Sequence, residues 1–141
     1  MVDLCAERSY ISEVLVQTLG LKKRKTDVNI LGINGISSKS SSSVQLKLKL
    51  SVSEEIALEA LVVPNIIGSS SISLCNSGEG MQDLKLADPH PHKKCIIGAL
   101  IGSDVAPKLF LPNTPNKITS EGLLLQPTKL VWLISGTTKT T

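Results

Sequence analysis

The chain from residue 44 to residue 50 alternates apolar and polar positions without a break. The order is Val44, Gln45, Leu46, Lys47, Leu48, Lys49 and Leu50. Strict alternation predicts a β-strand with one buried face. A second apolar run over residues 56–63, stopped by Pro64, predicts the antiparallel neighbour of this strand.

A short helix is predicted after Ser12. This serine is a suitable N-cap, Glu13 suits the positive end of the helix dipole, and apolar residues follow at helical spacing. Gly20 would end the helix, and the basic run 22–25 (Lys-Lys-Arg-Lys) follows directly. Because cations are stabilised near a helix C-terminus, the run is interpreted as cations just beyond the helix end rather than as a nuclear-localisation or nucleic-acid patch.

Weaker patterns predict the rest of the chain. They indicate a strand over 27–33, a serine-rich loop or hairpin tip over 37–43, an irregular insertion over about 64–95, a buried strand over 95–102, a brief helix near Pro107 and a last strand over 129–134. We therefore expect one domain over residues 1–136, followed by a polar tail over 137–141.

Composition favours a mainly β domain with an aliphatic core. The chain has 141 residues, of which 41% are apolar, with one Trp, one Tyr and one Phe. A core of Leu, Ile and Val favours strands, and the shortage of aromatic residues disfavours a stacking surface for single-stranded nucleic acid. The net charge of +3 is too small to indicate an obligate nucleic-acid partner, so no direct nucleic-acid binding is expected.

Cysteine usage and the N-terminal residues indicate a cellular location. Three cysteines at irregular spacing make no disulfide framework, which favours a reduced, intracellular and cytoplasmic chain. The first residues are charged, no apolar signal segment is visible, and no apolar stretch is long enough to span a membrane. Neither a membrane partner nor a cofactor is expected.

A cluster of nitrogen and sulfur side chains lies in the predicted insertion. His90, His92 and Cys95, with Cys75 upstream, are residue types that zinc accepts in tetrahedral sites. Their spacing matches no standard zinc finger, and two prolines stiffen the stretch. A solvated loop is the simpler interpretation, and a small metal-binding module stays open as an alternative.

The start of the chain and a distant segment form a second arrangement of interest. Asp3 precedes a turn, and far downstream Leu100, Ile101 and Gly102 form an apolar–apolar–glycine string. This is the order of residues in one half of an aspartic peptidase, whose chemistry needs two carboxylates that share a proton. A chain of this size supplies one such loop, so two copies would be required. From the residues alone, an exposed acid without function is the simpler interpretation of Asp3.

Six segments, in the correct order along nearly the whole chain, resemble the retropepsin-like aspartic peptidase domain in polyproteins of Pao/Bel-type retrotransposons. No single segment is specific, and the resemblance rests on their order. The segments are residues 3–21 with Arg-Ser-Tyr-Ile-Ser at 8–12, Leu-Gly-Ile-Asn-Gly at 31–35 with the serine run, Leu-Glu-Ala-Leu-Val-Val-Pro at 58–64, and residues 84–89, 100–104 and 128–136.

The resemblance implies a function and a fold. The chain would be an aspartic endopeptidase domain of a polyprotein, active as a homodimer on a peptide or polyprotein substrate that an activated water hydrolyses. The implied fold is a retropepsin-like closed β-barrel half of the acid-protease type, with one or two short helices. Because the strands that should precede Asp3 are reduced to Met1 and Val2, we expect a fold truncated at its N-terminus.

The resemblance also implies a catalytic loop. Asp3 takes the place of the catalytic aspartate, and Leu4, Cys5 and Ala6 follow it. The family has Asp-Ser/Thr-Gly here, so this chain lacks the hydroxyl that braces the two loops and the glycine that lets the backbone turn tightly. An active peptidase and a decayed remnant that keeps the fold without proteolysis are therefore both hypotheses, beside the metal-binding module.

Two further groups of residues receive roles by the same resemblance. Ile101 and Gly102 would support the catalytic loop from below, and Asp104 would cap the next helix rather than touch substrate. The flap that closes over a peptide would contain Gly32, Ile33, Asn34, Gly35, Ile36 and Ser37.

Overall fold

The structure, a computed structural model, describes residues 1–32, 34–66 and 96–135. It divides into two compact units. The described residues of the first unit are 1–66, without 33, and 97–107, while those of the second are 96 and 108–135. One domain over 1–136 stays a prediction, because compactness alone does not decide which segments fold together. Most of the predicted insertion (67–95) and the tail lie outside the described residues.

The predicted helix is confirmed as α1 (Glu13–Leu19). The Ser12 hydroxyl accepts a hydrogen bond from the Leu15 N–H at 3.2 Å and so caps the helix. Gly20 ends it with φ +64°, a left-handed conformation that glycine adopts without steric cost. No helix in the described ranges is long and apolar enough to cross a membrane.

The first unit contains the strands β1 (Ser9–Ser12), β2 (Lys23–Leu31), β3 (Ser37–Lys49), β4 (Glu55–Val63) and β5 (Ala99–Leu100). They form one sheet in the order β2-β3-β4-β1-β5. Strands β3 and β4 pair antiparallel with Leu46 opposite Leu58, which confirms the predicted pair. Strand β1 runs parallel to β4 and antiparallel to β5.

The serine-rich stretch is a strand, so the prediction of a loop over 37–43 was wrong. These residues open β3, and Ser40 and Ser43 are buried. The Ser40 hydroxyl donates a hydrogen bond to the Val62 carbonyl of β4 at 2.8 Å. Because its hydroxyl is paired inside the sheet, a serine can occupy a buried strand position that its composition alone disfavours.

Strand β2 begins earlier than predicted and includes most of the basic run. Lys23 lies opposite Val44 and Lys25 opposite Ser42 in the β2–β3 register. The run lies just beyond the C-terminus of α1, as predicted, but the backbone of residues 23–25 is also paired with β3. A register shift between Lys25 and Val28 interrupts the pairing.

The segment that leads to Gly102 is a shorter strand than predicted. Regular pairing covers β5 alone, and Ile101 adds a single parallel bridge to Val2. Ile96 is almost fully exposed, so the predicted buried strand does not reach it, and Cys95 lies outside the described residues. The brief helix is present as a 3₁₀ turn over Ala106–Lys108.

The second unit contains a three-stranded antiparallel sheet, β6 (Lys117–Ile118), β7 (Leu124–Thr128) and β8 (Val131–Ser135). The last strand begins at Val131 rather than at residue 129. Leu130 lies in the preceding turn, where its N–H donates to the Thr128 hydroxyl at 3.0 Å. Leu109, Leu123 and Leu125 are buried apolar residues of this unit.

The mainly β class is confirmed. The first unit buries aliphatic side chains such as Ile11, Val44 and Leu61, as the composition predicts. Within the described ranges both sheets are open, since β2 and β5 are the outer strands of one and β6 and β8 of the other. The described strands therefore form no closed barrel.

Candidate active site

The backbone of Asp3 is attached to the segment that contains Ile101. The Asp3 N–H donates to the Ile101 carbonyl at 2.9 Å, and the Ile101 N–H donates to the Met1 carbonyl at 2.8 Å. These two bonds form the parallel bridge between Val2 and Ile101. The aspartate therefore sits directly at the end of a paired extended segment, in the first unit of the chain.

The carboxylate of Asp3 is oriented by its own loop. Its Oδ1 accepts the Cys5 N–H at 2.9 Å, and the Ala6 N–H donates to the Asp3 carbonyl at 3.3 Å. Such an Asx turn fixes one carboxylate oxygen and leaves the other available. Asp3 is half-buried, whereas Leu4 (55% exposed) and Cys5 project to the surface.

Gly102 lies in direct backbone contact with this loop. A Cβ built on it would overlap the Arg8 carbonyl oxygen and would lie 2.8 Å from the carbonyl oxygen of Ala6. The next residue, Ser103, donates its N–H to the Ala6 carbonyl at 2.7 Å. Only glycine fits at such an approach, so the Asp3 loop (residues 3–8) rests on the chain at residues 101–103.

A partly buried hydrogen-bond network joins the buried Ser9, which directly follows the Asp3 loop, to the exposed residue Asp104. The Ser9 hydroxyl donates to Asp104 Oδ1 at 2.8 Å and accepts the Gly102 N–H at 3.1 Å. The Ser9 N–H donates to Asp104 Oδ2 at 3.2 Å. Both carboxylate oxygens of Asp104 therefore bind Ser9 instead of capping the next helix as expected. We call the hydrogen-bonded pair Ser9 and Asp104 the clamp. Ser9 was not among the predicted site residues, because a serine gives no sign in the sequence that it will be buried.

Strand β1, which follows the loop, contains a tyrosine whose pKa is raised. Burial raises the pKa of Tyr10 above its ordinary value, Arg8 lowers it, and the negative charges of Glu7 and Asp104 raise it further. Arg8 also forms an ion pair with Glu59 of β4 at 3.7 Å, between two partly exposed side chains. The carboxylate of Asp104 thus raises the pKa of Tyr10 and also accepts hydrogen bonds from Ser9.

The expected flap residues form the tip of the β2–β3 hairpin. The Gly32 N–H donates to the Ile36 carbonyl at 2.8 Å, and the Gly35 N–H donates to the Gly32 carbonyl at 3.1 Å. Gly35 has φ +71°, which a residue with a side chain seldom adopts. We call Gly32, Asn34, Gly35 and Ile36 the hairpin tip; Ser37 opens β3, and Ile33 lies outside the described residues.

The hairpin tip exposes apolar side chains. Ile36 is 70% exposed and Leu31, the last residue of β2, is 77% exposed. No hydrogen bond or ion pair among the described residues joins the tip to residues 3–6. The structure therefore packs the Asp3 loop against Gly102, bonds the following residue Ser9 to Asp104, and leaves the tip as a separate, exposed apolar feature.

The alternative metal cluster lies elsewhere in the chain. His90, His92, Cys95 and Cys75 are outside the described residues. Within the described ranges, no three His, Cys, Asp or Glu side chains are grouped so that they could hold a metal ion. The metal-binding module stays a prediction.

No family model, curated protein or solved structure matches the chain.

Proposed function

We propose that this chain is a retropepsin-like aspartic endopeptidase domain, in which two copies each contribute one Asp3 to a shared site. The observation that supports the proposal is the way in which hydrogen bonds and packing hold the Asp3 loop. Its carboxylate is oriented by the Cys5 N–H, and its backbone rests on Gly102 at a distance that excludes any side chain. A loop held this firmly suits a residue whose oxygen atoms must stay in place during chemistry.

The order of the strands supports the finer fold assignment, which is part of the same proposal. The chain passes from Asp3 into β1, makes the β2–β3 hairpin, and returns in β4 parallel to β1. The apolar–apolar–glycine segment 100–102 then passes beside Met1 and Val2 and beneath the loop. We assign the first unit as one half of an acid-protease barrel, with the hairpin tip as its flap.

The proposed chemistry needs the two aspartates to act as a pair. Two carboxylates at hydrogen-bonding distance cannot both ionise readily, so they share one proton. The ionised carboxylate takes a proton from water as its oxygen adds to the peptide carbonyl carbon, and the other carboxyl gives its proton to the carbonyl oxygen. Transfer of a proton to the amide nitrogen then accompanies cleavage of the C–N bond. One copy alone holds half of these groups.

A second candidate, a decayed remnant, is supported by the residues after Asp3. Leu4 occupies the position of the family's bracing hydroxyl and is 55% exposed, so its side chain offers no hydrogen bond to a second loop. Cys5 stands in place of the family's glycine. A protein of this kind would keep the fold and could pair with a second copy without hydrolysing peptides.

The peptidase proposal is tested by incubating the purified chain with a mixture of unstructured peptides at mildly acidic pH. We expect cleavage in the wild type, loss of cleavage in Asp3→Asn, and inhibition by a pepstatin-like transition-state analogue. Asp27→Asn is the matched control, since Asp27 is an exposed acid of β2 paired with Lys39 at 2.9 Å. Cleavage that persists in Asp3→Asn would refute the proposal.

The remnant is tested by restoring the family's residues. If Leu4 and Cys5 are the cause of decay, the variant Leu4→Ser/Cys5→Gly should cleave peptides that the wild type leaves intact. Adding Asp3→Asn to this variant should abolish the restored cleavage. A wild type that cleaves peptides with a dependence on Asp3 excludes the remnant. If neither the wild type nor the folded restored variant cleaves peptides, the peptidase proposal fails and Leu4 and Cys5 are not the cause of the inactivity.

A further inference from the structure

The positive charge of the chain is concentrated in one segment. Residues 22–49 hold seven of the fifteen Lys and Arg residues and one of the twelve acids, a surplus of six positive charges. The remaining residues hold eight cations and eleven acids, a deficit of three. The small net charge of the whole chain therefore conceals a strongly basic region, and such asymmetry is typical of polyanion binding.

The structure concentrates four of these cations at the edge of a sheet. Strand β2 is an outer strand of the five-stranded sheet, and the basic run 22–25 enters it at Lys23. Each residue of the run is exposed. Across the hairpin, Arg24 faces Ser43 and Lys25 faces Ser42, so the register places no acid opposite them.

Three cations of this basic edge (residues 22–25) have no acidic partner within the described ranges. Lys23 is paired with Glu13 of α1, and the neighbouring Lys39 is paired with Asp27. No ion pair in the described residues includes Lys22, Arg24 or Lys25. Charged side chains, lysine above all, protect an outer strand from pairing with another chain, and the three cations without an acidic partner are also available to an anionic ligand.

Hydroxyl groups accompany the cations. A shallow, open recess at this edge is lined by Lys23, Arg24, Lys25, Thr26, Ser41 and Ser42. Lys and Arg side chains together with Ser and Thr hydroxyls are the donors that contact phosphate oxygens in complexes with nucleic acids. The recess therefore offers the donor set of a phosphate-binding surface.

We propose that the basic edge binds the phosphodiester backbone of nucleic acid, independently of the chemistry at Asp3. Residues 22–27 contain no apolar side chain, so the edge lacks the groups that insert into a lipid surface. None of the aromatic residues lies in the segment 22–49, so bases cannot stack there and binding is independent of sequence. This proposal revises the expectation drawn from the net charge of the whole chain.

The test is a fluorescence-anisotropy titration of a short labelled DNA duplex with the full chain. Three phosphate contacts predict that log K falls with log salt with a slope of about −2.7, since each contact releases about 0.9 counterion. The affinity is expected in the range of about 1 to 100 μM at physiological salt, which is typical of sequence-independent binding. No proteolysis is needed, so failure of the peptidase proposal leaves this test intact.

Two double variants, each lacking two cations, test whether the basic edge is the surface that binds DNA. Arg24→Gln/Lys25→Gln should weaken binding and reduce the salt slope by about 2 units, whereas Lys108→Gln/Lys117→Gln removes two exposed cations from the second unit and should leave both unchanged. Circular dichroism confirms that each variant is folded. Absence of binding, equal losses in the two double variants, or equally tight binding of polyglutamate or anionic vesicles would each overturn the proposal.

Discussion

The Asp3 loop and the hairpin tip are both short turns of the first unit, and the structure holds them in opposite ways. The loop is bonded through its backbone to Ile101 and Ser103 and rests on Gly102. The tip is bonded only within itself among the described residues, and its Ile36 is exposed. A catalytic aspartate that must orient a water molecule benefits from a rigid loop, whereas a flap must open to admit a peptide. The difference agrees with the roles proposed for the two turns.

The largest predicted effect is that of Gly102→Ala. The new methyl group would collide with the backbone of Arg8 and Ala6, which cannot move without displacing the Asp3 loop. We expect a loss of about 3 kcal/mol in the free energy of unfolding, at the upper end of the usual cost of overpacking. Chemical denaturation monitored by circular dichroism measures it.

Two other glycines provide matched controls for that variant. A Cβ on Gly98 would meet the end of the Leu15 side chain at 2.8 Å, which can rotate away, so Gly98→Ala should cost less than about 1 kcal/mol. Gly35→Ala, at φ +71° in open space, should cost about 1 kcal/mol through backbone strain alone. If Gly102→Ala is no more destabilising than these two, the loop is not held as described.

The next effect concerns the clamp. Ser9→Ala leaves the buried Gly102 N–H without its acceptor and removes the charge-assisted bond to the exposed Asp104, and should cost about 2 kcal/mol. Ser40→Ala is the control, because Ser40 is equally buried but its hydroxyl donates to the carbonyl of a strand residue. We expect a cost of about 1 kcal/mol there. Equal costs would argue against a special role for Ser9.

Substitution in the hairpin tip should affect the proposed activity more than the stability. Ile36→Ser changes an exposed side chain, so the free energy of unfolding should move by less than about 0.5 kcal/mol. Under the proposed function it should lower kcat/KM for peptide cleavage by about tenfold, because an apolar contact with substrate is lost. Val52→Ser, at the fully exposed turn between β3 and β4, should change neither quantity. An unchanged kcat/KM in Ile36→Ser would remove the tip from the site.

The smallest effect is a titration of Tyr10 that reports on the clamp. Burial, the largest cause, raises the pKa of this phenol above its ordinary value of 10.0, so the folded state favours the neutral form. The associated stability is fully present below pH 10.0 and is lost as the pH rises through the higher folded-state pKa.

Because Tyr10 is the one tyrosine of the chain, the absorbance of the phenolate reports its ionisation directly. Asp104→Asn removes a nearby negative charge and should bring the pKa of Tyr10 down. An unchanged titration would mean that the carboxylate does not lie as near to Tyr10 as described.

Local patterns in the sequence predict the elements whose stability is decided locally. The cap at Ser12, the end at Gly20 and the alternation over 44–50 each gave a correct element, because each depends on neighbouring residues. The serine run failed because its place in β3 is decided by the partner strands β2 and β4. A residue type carries no information about which distant strand will satisfy its hydroxyl.

The same division applies to the candidate site. Asp3 and Gly102 stand at recognisable positions in short strings, so sequence reasoning could select them. The bond between Ser9 and Asp104 joins residues far apart in the chain, so no local sequence pattern indicates it. The grouping of charge in 22–49 was visible in the sequence, but its location on an outer strand required the fold.

The central claim, that two copies each supply one Asp3, is tested most directly by mixing subunits. Wild-type chain and Asp3→Asn chain are unfolded together in equal amounts, refolded, and assayed for peptide cleavage. If every active site needs two aspartates and the copies pair at random, activity should be about one quarter of that of the same total amount of wild type. A value of about one half would mean that each chain acts alone and would contradict the claim.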